Sequence, residues 1–155
     1  MRMKREEKFP DTSYFHFYNA NPKNRICGDC VVRAISVATG KSWDDVLDGL
    51  HDIAKKHKLM TNDVKCYEKY LMSLGWRKQK QPRKDDNSKY RGWEFCQSLQ
   101  NDPWQWTGHE GPGHPPIVAF IGTHHIVCIV NGKVWDHWNS TGGCIGNYYI
   151  LESDP

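Results

Sequence analysis

The sequence predicts a single α+β domain, with helices in its N-terminal half and an antiparallel sheet in its C-terminal half. Three observations carry that prediction. Apolar residues recur at helical spacing between Asp29 and Leu74. After the glycine- and proline-rich stretch TGHEGPGHPP, residues 107–116, the pattern changes to short runs of β-branched and aromatic residues. Two of those runs are separated by Asn131-Gly132, the strongest short hairpin signal a sequence carries.

The elements follow in order. Residues 1–10, MRMKREEKFP, read as a solvated lead-in, and Tyr14, Phe15, Phe17 and Tyr18 as an aromatic cluster that docks on the core. Asn21-Pro22-Lys23-Asn24 is a turn. The first helix is placed at 29–39, with Asp29 as N-cap and Gly40 as terminator. Val31, Ala34, Ile35 and Ala38 share one face and Val32 and Val37 widen it, so this helix is expected at the centre of the fold. Ser42 caps a second helix, whose Asp44 and Asp45 lie where the helix dipole favours anions. Val46, Leu47, Leu50, Ile53 and Ala54 form its inner face. Thr61 or Asn62 opens a third helix that Gly75 ends, with Val64, Tyr67, Leu71 and Leu74 inward. Residues 77–91 are polar and basic and read as an exposed loop, and Trp93, Phe95, Cys96 and Leu99 suggest a short fourth helix. Strands are expected at 117–121, 125–130, 133–138 and 147–151.

The bulk numbers bound the function. A chain of 155 residues fits one domain, 1–155, with a core of its own. A net charge of +3 is too mild to indicate a nucleic-acid binder. No apolar run follows the basic residues of the first ten, as a secretory signal requires, and none is long enough for a membrane span. A reducing cytoplasm is the expected compartment. Six cysteines there read as core, metal or catalytic residues and not as a disulfide framework.

Cys30 carries the chemistry. It falls in the first turn of the buried helix, where unpaired backbone N–H groups and the helix dipole stabilise a thiolate. The plainer alternative is a small buried hydrophobe. A two-residue turn at Asn131-Gly132 sets Val130 opposite Lys133, Val127 opposite Asp136 and His125 opposite Trp138. His125 and Asp136 then share a face as diagonal neighbours, the base and orienter of a nucleophile–base–orienter triad. His124 points to the other face, where Asn139 would be its partner; the acidic partner favours His125.

GDCVVRAISVATGKSW (28–43) together with HHIVCIVNGKVWDHW (124–138) resembles the small papain-like cysteine peptidases of bacteria and phages, and more distantly the peptidase domains that process bacteriocin leaders. The resemblance covers residues 14–150. It implies a papain-like fold, in which a helical half with a buried nucleophile helix packs on the sheet. It also implies a Cys30–His125–Asp136 site between the halves, acting without a cofactor or metal on a protein or peptide. Such peptidases carry a side-chain amide a few residues before the nucleophile as oxyanion donor; Asn24 has that spacing, with the Cys30 backbone N–H as second donor. Two other classes compete. Cys27-Gly28-Asp29-Cys30 is a redox-type C-x-x-C, though it lacks a preceding buried strand. Cys27 and Cys30 could instead form half a zinc site, with His109 and His114 or Cys144 as the remainder, though no second C-x-x-C is present. The leading expectation is a thiol hydrolase that cleaves a peptide or isopeptide bond; the same machinery also serves amidases and acyl transferases.

Overall fold

A computed structural model describes residues 3–110 and 113–152. Among the described residues, six helices, α1 (Arg5–Lys8), α2 (Cys30–Thr39), α3 (Trp43–His57), α4 (Val64–Ser73), α5 (Gly92–Asn101) and α6 (Pro103–Thr107), accompany a single sheet. Its strands are β1 (Phe15–Phe17), β2 (Trp76–Gln79), β3 (Ile117–Ile121), β4 (His125–Val130), β5 (Lys133–Asp136) and β6 (Ile145–Leu151). They lie in the order β1-β5-β4-β3-β6-β2. This is a mixed α+β fold.

The sheet is buried on both faces, which fits the unbroken apolar runs of β3 and β4. Val118, Ile126, Cys128 and Tyr149 meet Ile35, Leu50 and Leu71 from α2, α3 and α4. Ile117, Ala119, Val127, Ile129 and Val134 meet Phe15 and, from α5, Phe95 and Leu99. Side-chain alternation thus assigns each strand residue to one of two cores. Each fully buried leucine or isoleucine in them contributes about 1.5–3 kcal/mol.

The helix expectations hold with adjusted ends. Ser42 caps α3 by accepting from the Asp45 N–H at 3.0 Å. α4 starts at Val64, later than expected, after the Asp63 carboxylate has closed the preceding turn by accepting from Met60 N–H at 2.8 Å. α6 falls in a stretch with no sequence expectation; Asp102 and Pro103 start it. The lead-in carries the short α1, with no buried residue.

The sheet departs from expectation in composition and direction. It is not confined to the C-terminal half, and it is not wholly antiparallel. β1 comes from the aromatic cluster and pairs parallel to β5, with Phe17 against Asp136. β2 comes from the start of the segment expected to be loop, 77–91, and pairs antiparallel to β6. Only Trp76 of β2 is buried, while Arg77 and Lys78 are exposed. Charge on an edge strand keeps it from pairing with other chains, and it also erases the alternation that marks strands. β5 stops at Asp136, short of 138, where Tyr18 N–H donates to the Asp136 carbonyl at 2.9 Å. β6 starts at Ile145, before the expected 147.

The β4–β5 hairpin has the expected register, with Val130 paired to Lys133, Ile129 to Val134 and Cys128 to Trp135. Asn131 and Gly132 both have positive φ, 49° and 74°, as the tight turn demands. This puts the start of β4 and the end of β5 side by side, at the end of the sheet away from the turn. Among the described residues no helix is long and apolar enough to cross a membrane.

Gly132 is also a point of close packing, since a Cβ there would lie 2.4 Å from Gln100 Cγ and 3.0 Å from the Cys96 carbonyl oxygen. Gly132→Ala is therefore expected to cost about 1–3 kcal/mol from strain and overpacking. Urea denaturation would show this as a lower midpoint with an unchanged slope.

Candidate active site

Cys30 is the first residue of α2, partly exposed, at the floor of a cavity of about 430 Å³. Tyr67 of α4, Phe120 of β3, Asn62, His124 and His125 line the same cavity. Asp29 occupies the N-cap position but makes no side-chain cap. The N–H groups of the first turn of α2 therefore keep their freedom to face a thiolate or an oxyanion.

The Asp29 carboxylate is turned to other work. Oδ1 accepts from Arg33 Nε at 2.7 Å, and Oδ2 accepts from Asn21 Nδ2 and Trp43 Nε1, each at 3.0 Å. Asp29 and Arg33 are one helical turn apart and so lie together. The Arg33 guanidinium continues across to β5, where Nη1 donates to Asp136 Oδ1. The Asp136 carboxylate also accepts from its neighbour's backbone, His137 N–H, at 2.7 Å. Its other oxygen, Oδ2, lies 2.7 Å from His125 Nε2. With Nε2 so engaged, Nδ1 is the ring nitrogen left for the thiol. The imidazole is tilted against Trp138, with ring centroids 4.9 Å apart. A line of ionisable groups thus runs from Asp29 through Arg33, Asp136 and His125 toward Cys30. Asp29, Arg33 and Asp136 are all buried.

The electrostatics follow from that line. Burial alone would raise the Cys30 thiol. The hydrogen bond and charge of His125, the Ile126 backbone N–H and the charge of Arg33 outweigh it and bring the thiol below its ordinary range. Burial likewise opposes a charged His125, but hydrogen bonds to Asp136 and Cys30, and their negative charges, push it up to about 9. Against the effect of burial, His125 and Arg33 hold Asp136 below the usual carboxylate range. Burial and the Cys30 charge push the Tyr67 phenol up to about 12, so it stays protonated beside Cys30.

Of the sequence-predicted residues, Cys30, His125 and Asp136 come together. Asn24 does not join them. It is exposed, sits at positive φ (54°), accepts from Asn19 Nδ2 at 3.1 Å, and is not among the residues lining the cavity. The Asn-Pro-Lys-Asn turn holds it away from the thiol. His124 is exposed in the β3–β4 turn at φ 59° and lines the cavity beside His125. Asn139 turns its carbonyl oxygen to Thr141, accepting from N–H at 3.0 Å and from Oγ1 at 2.6 Å. Arg33 and Asp29 are the members that sequence reasoning assigned no role in the site. Their signal was the one charged residue in this largely apolar helix, a turn after an aspartate.

All six cysteines lie among the described residues and are free thiols. Among the described residues no group of three or more His, Cys, Asp or Glu side chains is placed to hold a metal ion. No family model, curated protein or solved structure matches the chain.

Cys30 is expected to react with iodoacetamide before any other cysteine at mildly acidic pH. Burial pushes the Cys66, Cys96 and Cys128 thiols up, and Cys27, though exposed, is raised by slight burial and the nearby Asp29 charge. Peptide mapping by mass spectrometry checks the order; Cys27 or Cys144 modified first contradicts it.

Proposed function

We propose that the protein is a papain-like thiol hydrolase that cleaves a peptide or isopeptide bond. The observation that carries this reading is the 2.7 Å contact of His125 Nε2 with Asp136 Oδ2, made by a ring that lines the same cavity as the Cys30 thiol at the start of α2. Nucleophile and base share one cavity and the orienter holds the base, the arrangement thiol-based acyl transfer needs.

In the resting site the Cys30 proton resides on His125. The thiolate attacks the acyl carbon of the substrate, and the electron pair of the carbonyl moves to oxygen. The uncapped N–H groups at the start of α2 stabilise that oxyanion, with Cys30 N–H as the first donor. The imidazolium then gives its proton to the leaving amine as the C–N bond breaks, leaving a thioester on Cys30. Water, deprotonated by the now neutral His125, hydrolyses the thioester, releases the acid and restores the thiolate–imidazolium pair. Asp136 keeps the ring oriented and stabilises its charged form throughout. The reaction needs no cofactor, and the partner is a protein or peptide in a reducing cytoplasm. Cys27 lies outside the cavity lining, which favours hydrolase chemistry at Cys30 over a paired redox role.

Variants separate these roles once a substrate or activity probe is in hand. Cys30→Ser and His125→Ala should abolish turnover, while Cys27→Ser leaves it largely intact. Asp136→Asn should lower it by as much as ~10⁴-fold, the loss seen in comparable triads. His124→Ala should cost far less; an inactive His124→Ala beside an active His125→Ala would reassign the base. Turnover should also fall as pH rises through about 9, because the His125 imidazolium then loses the proton the leaving amine requires. A rate that keeps rising above that pH would contradict the assignment of the acid.

A further inference from the structure

We propose that Asp29 and Arg33 are positioning residues for the triad: Arg33 fixes the Asp136 carboxylate, and Asp29 neutralises Arg33 so that Asp136 keeps its hold on the His125 imidazolium. This rests on Cys30 and His125 acting as proposed above.

The argument begins with what Arg33 does to Asp136. A guanidinium on Oδ1 and the His137 N–H on the same oxygen leave Oδ2 for the His125 ring, which fixes the carboxylate plane. A planar fork suits this task, since Nη1 reaches Asp136 while Nε holds Asp29. A cation this close also has a cost. Left alone, it would cancel the negative charge of Asp136 and weaken its pull on the imidazolium. Asp29 removes that conflict. Its carboxylate is 2.7 Å from Arg33 Nε and is held in place by Asn21 and Trp43 on its other oxygen. The three groups together carry one net negative charge, and Asp136 presents it to His125.

Asp29's geometry supports a role beyond helix capping. An aspartate at an N-cap ordinarily accepts from the backbone N–H groups two or three residues on. Asp29 does not, and spends both oxygens on the side chains of Arg33, Asn21 and Trp43. That choice also leaves the first-turn N–H groups free beside Cys30.

Other charged or titratable groups facing this cluster are few. From α2 there is Cys30 itself, and from α4 the Tyr67 phenol. Following β5 comes His137, kept neutral by burial and by the Arg33 charge. From α1 comes Arg5, whose Nε donates to the His137 carbonyl at 2.6 Å. Cys27 lies beside Asp29 at the surface. His124 shares the cavity. None of these carries a negative charge in the resting site except the Cys30 thiolate, so none substitutes for Asp29.

The two residues should therefore shift the His125 titration in opposite directions, which merely structural roles would not do. The test is an NMR pH titration of the His125 ring in the full-length chain, with circular dichroism confirming that each variant folds. Asp29→Asn removes a negative charge and exposes Asp136 to the whole of Arg33; the His125 midpoint should fall by on the order of one pH unit. Arg33→Met removes the positive charge, and the midpoint should rise. Arg33→Lys keeps the charge but cannot fork, so its midpoint should stay nearer the parent's while His125 loses order, seen as a broadened ring signal. Either charge-removing variant decides the matter alone if the other fails to fold. A midpoint unmoved in Asp29→Asn, or moved the same way in Asp29→Asn and Arg33→Met, overturns the proposal. Iodoacetamide mapping of the parent protein distinguishes this from failure of the underlying reading. If Cys30 is reactive but the midpoints do not diverge, only the positioning role falls. If Cys30 is inert in the parent, the nucleophile assignment falls with it.

Discussion

A single guanidinium, Arg33, is clasped between two carboxylates in the interior, and the placement of the site depends on it. It is 5% exposed, and its partners Asp29 and Asp136 are 5% and 2% exposed. Charges taken so far from water hold their place only when each is matched. Removing one partner from such an arrangement costs about 3–5 kcal/mol, because a charge is left buried and unanswered. The clasp ties the first turn of α2 to the last residue of β5. β5 is bound in turn to β1 and β4, so α2 is fixed in rotation and height against the end of the sheet.

The surroundings bear the strain of that choice. The ring of His137 is buried, and neither of its nitrogens has a hydrogen-bond partner among the described residues. A buried polar group without a partner costs about 1–3 kcal/mol. Its backbone, by contrast, is fully used: the N–H donates to Asp136 and the carbonyl accepts from Arg5. Backbone geometry after β5 therefore serves the carboxylate, and the His137 side chain is carried inward with it. The same economy governs the cysteines. Those packed in the cores are raised by burial and held as thiols, while the one at the helix start is lowered by charge.

Much of this was legible in the sequence, and the failures have physical causes. The helix from Asp29, the Asn131-Gly132 hairpin and the strands at 117–121 and 125–130 follow from periodicity and turn chemistry. The register of the hairpin correctly paired His125 with Asp136. It did not explain how they reach the thiol. Val127 and Ile129, which alternation groups with His125, sit in the core facing α5, whereas Cys30 packs against the other core. The meeting happens because His125 opens β4 and Asp136 closes β5, at the margin where faces cease to separate the two sides. β1 and β2 were not legible because each is an edge strand whose identity comes from its partner: β1 is three residues long, and β2 is charged outward. Asn24, by contrast, stands apart from the cavity. Spacing along the chain nominated it, but a turn places its amide by local hydrogen bonds, and those point toward Asn19. Arg33 read as a polar residue on an apolar helix, and its function depends on a partner 103 residues away, which no local pattern encodes.

The central claim is that Cys30 rests as a thiolate because His125, backed by Asp136, holds its proton. The most direct measurement is the ultraviolet absorbance of thiolate as a function of pH, recorded for the parent protein and for Cys30→Ala. The account predicts a thiolate signal in the parent already present at neutral pH, well below the ordinary thiol range, and its complete loss in Cys30→Ala. A parent titration with no such low-pH component, or one that survives removal of Cys30, would contradict it.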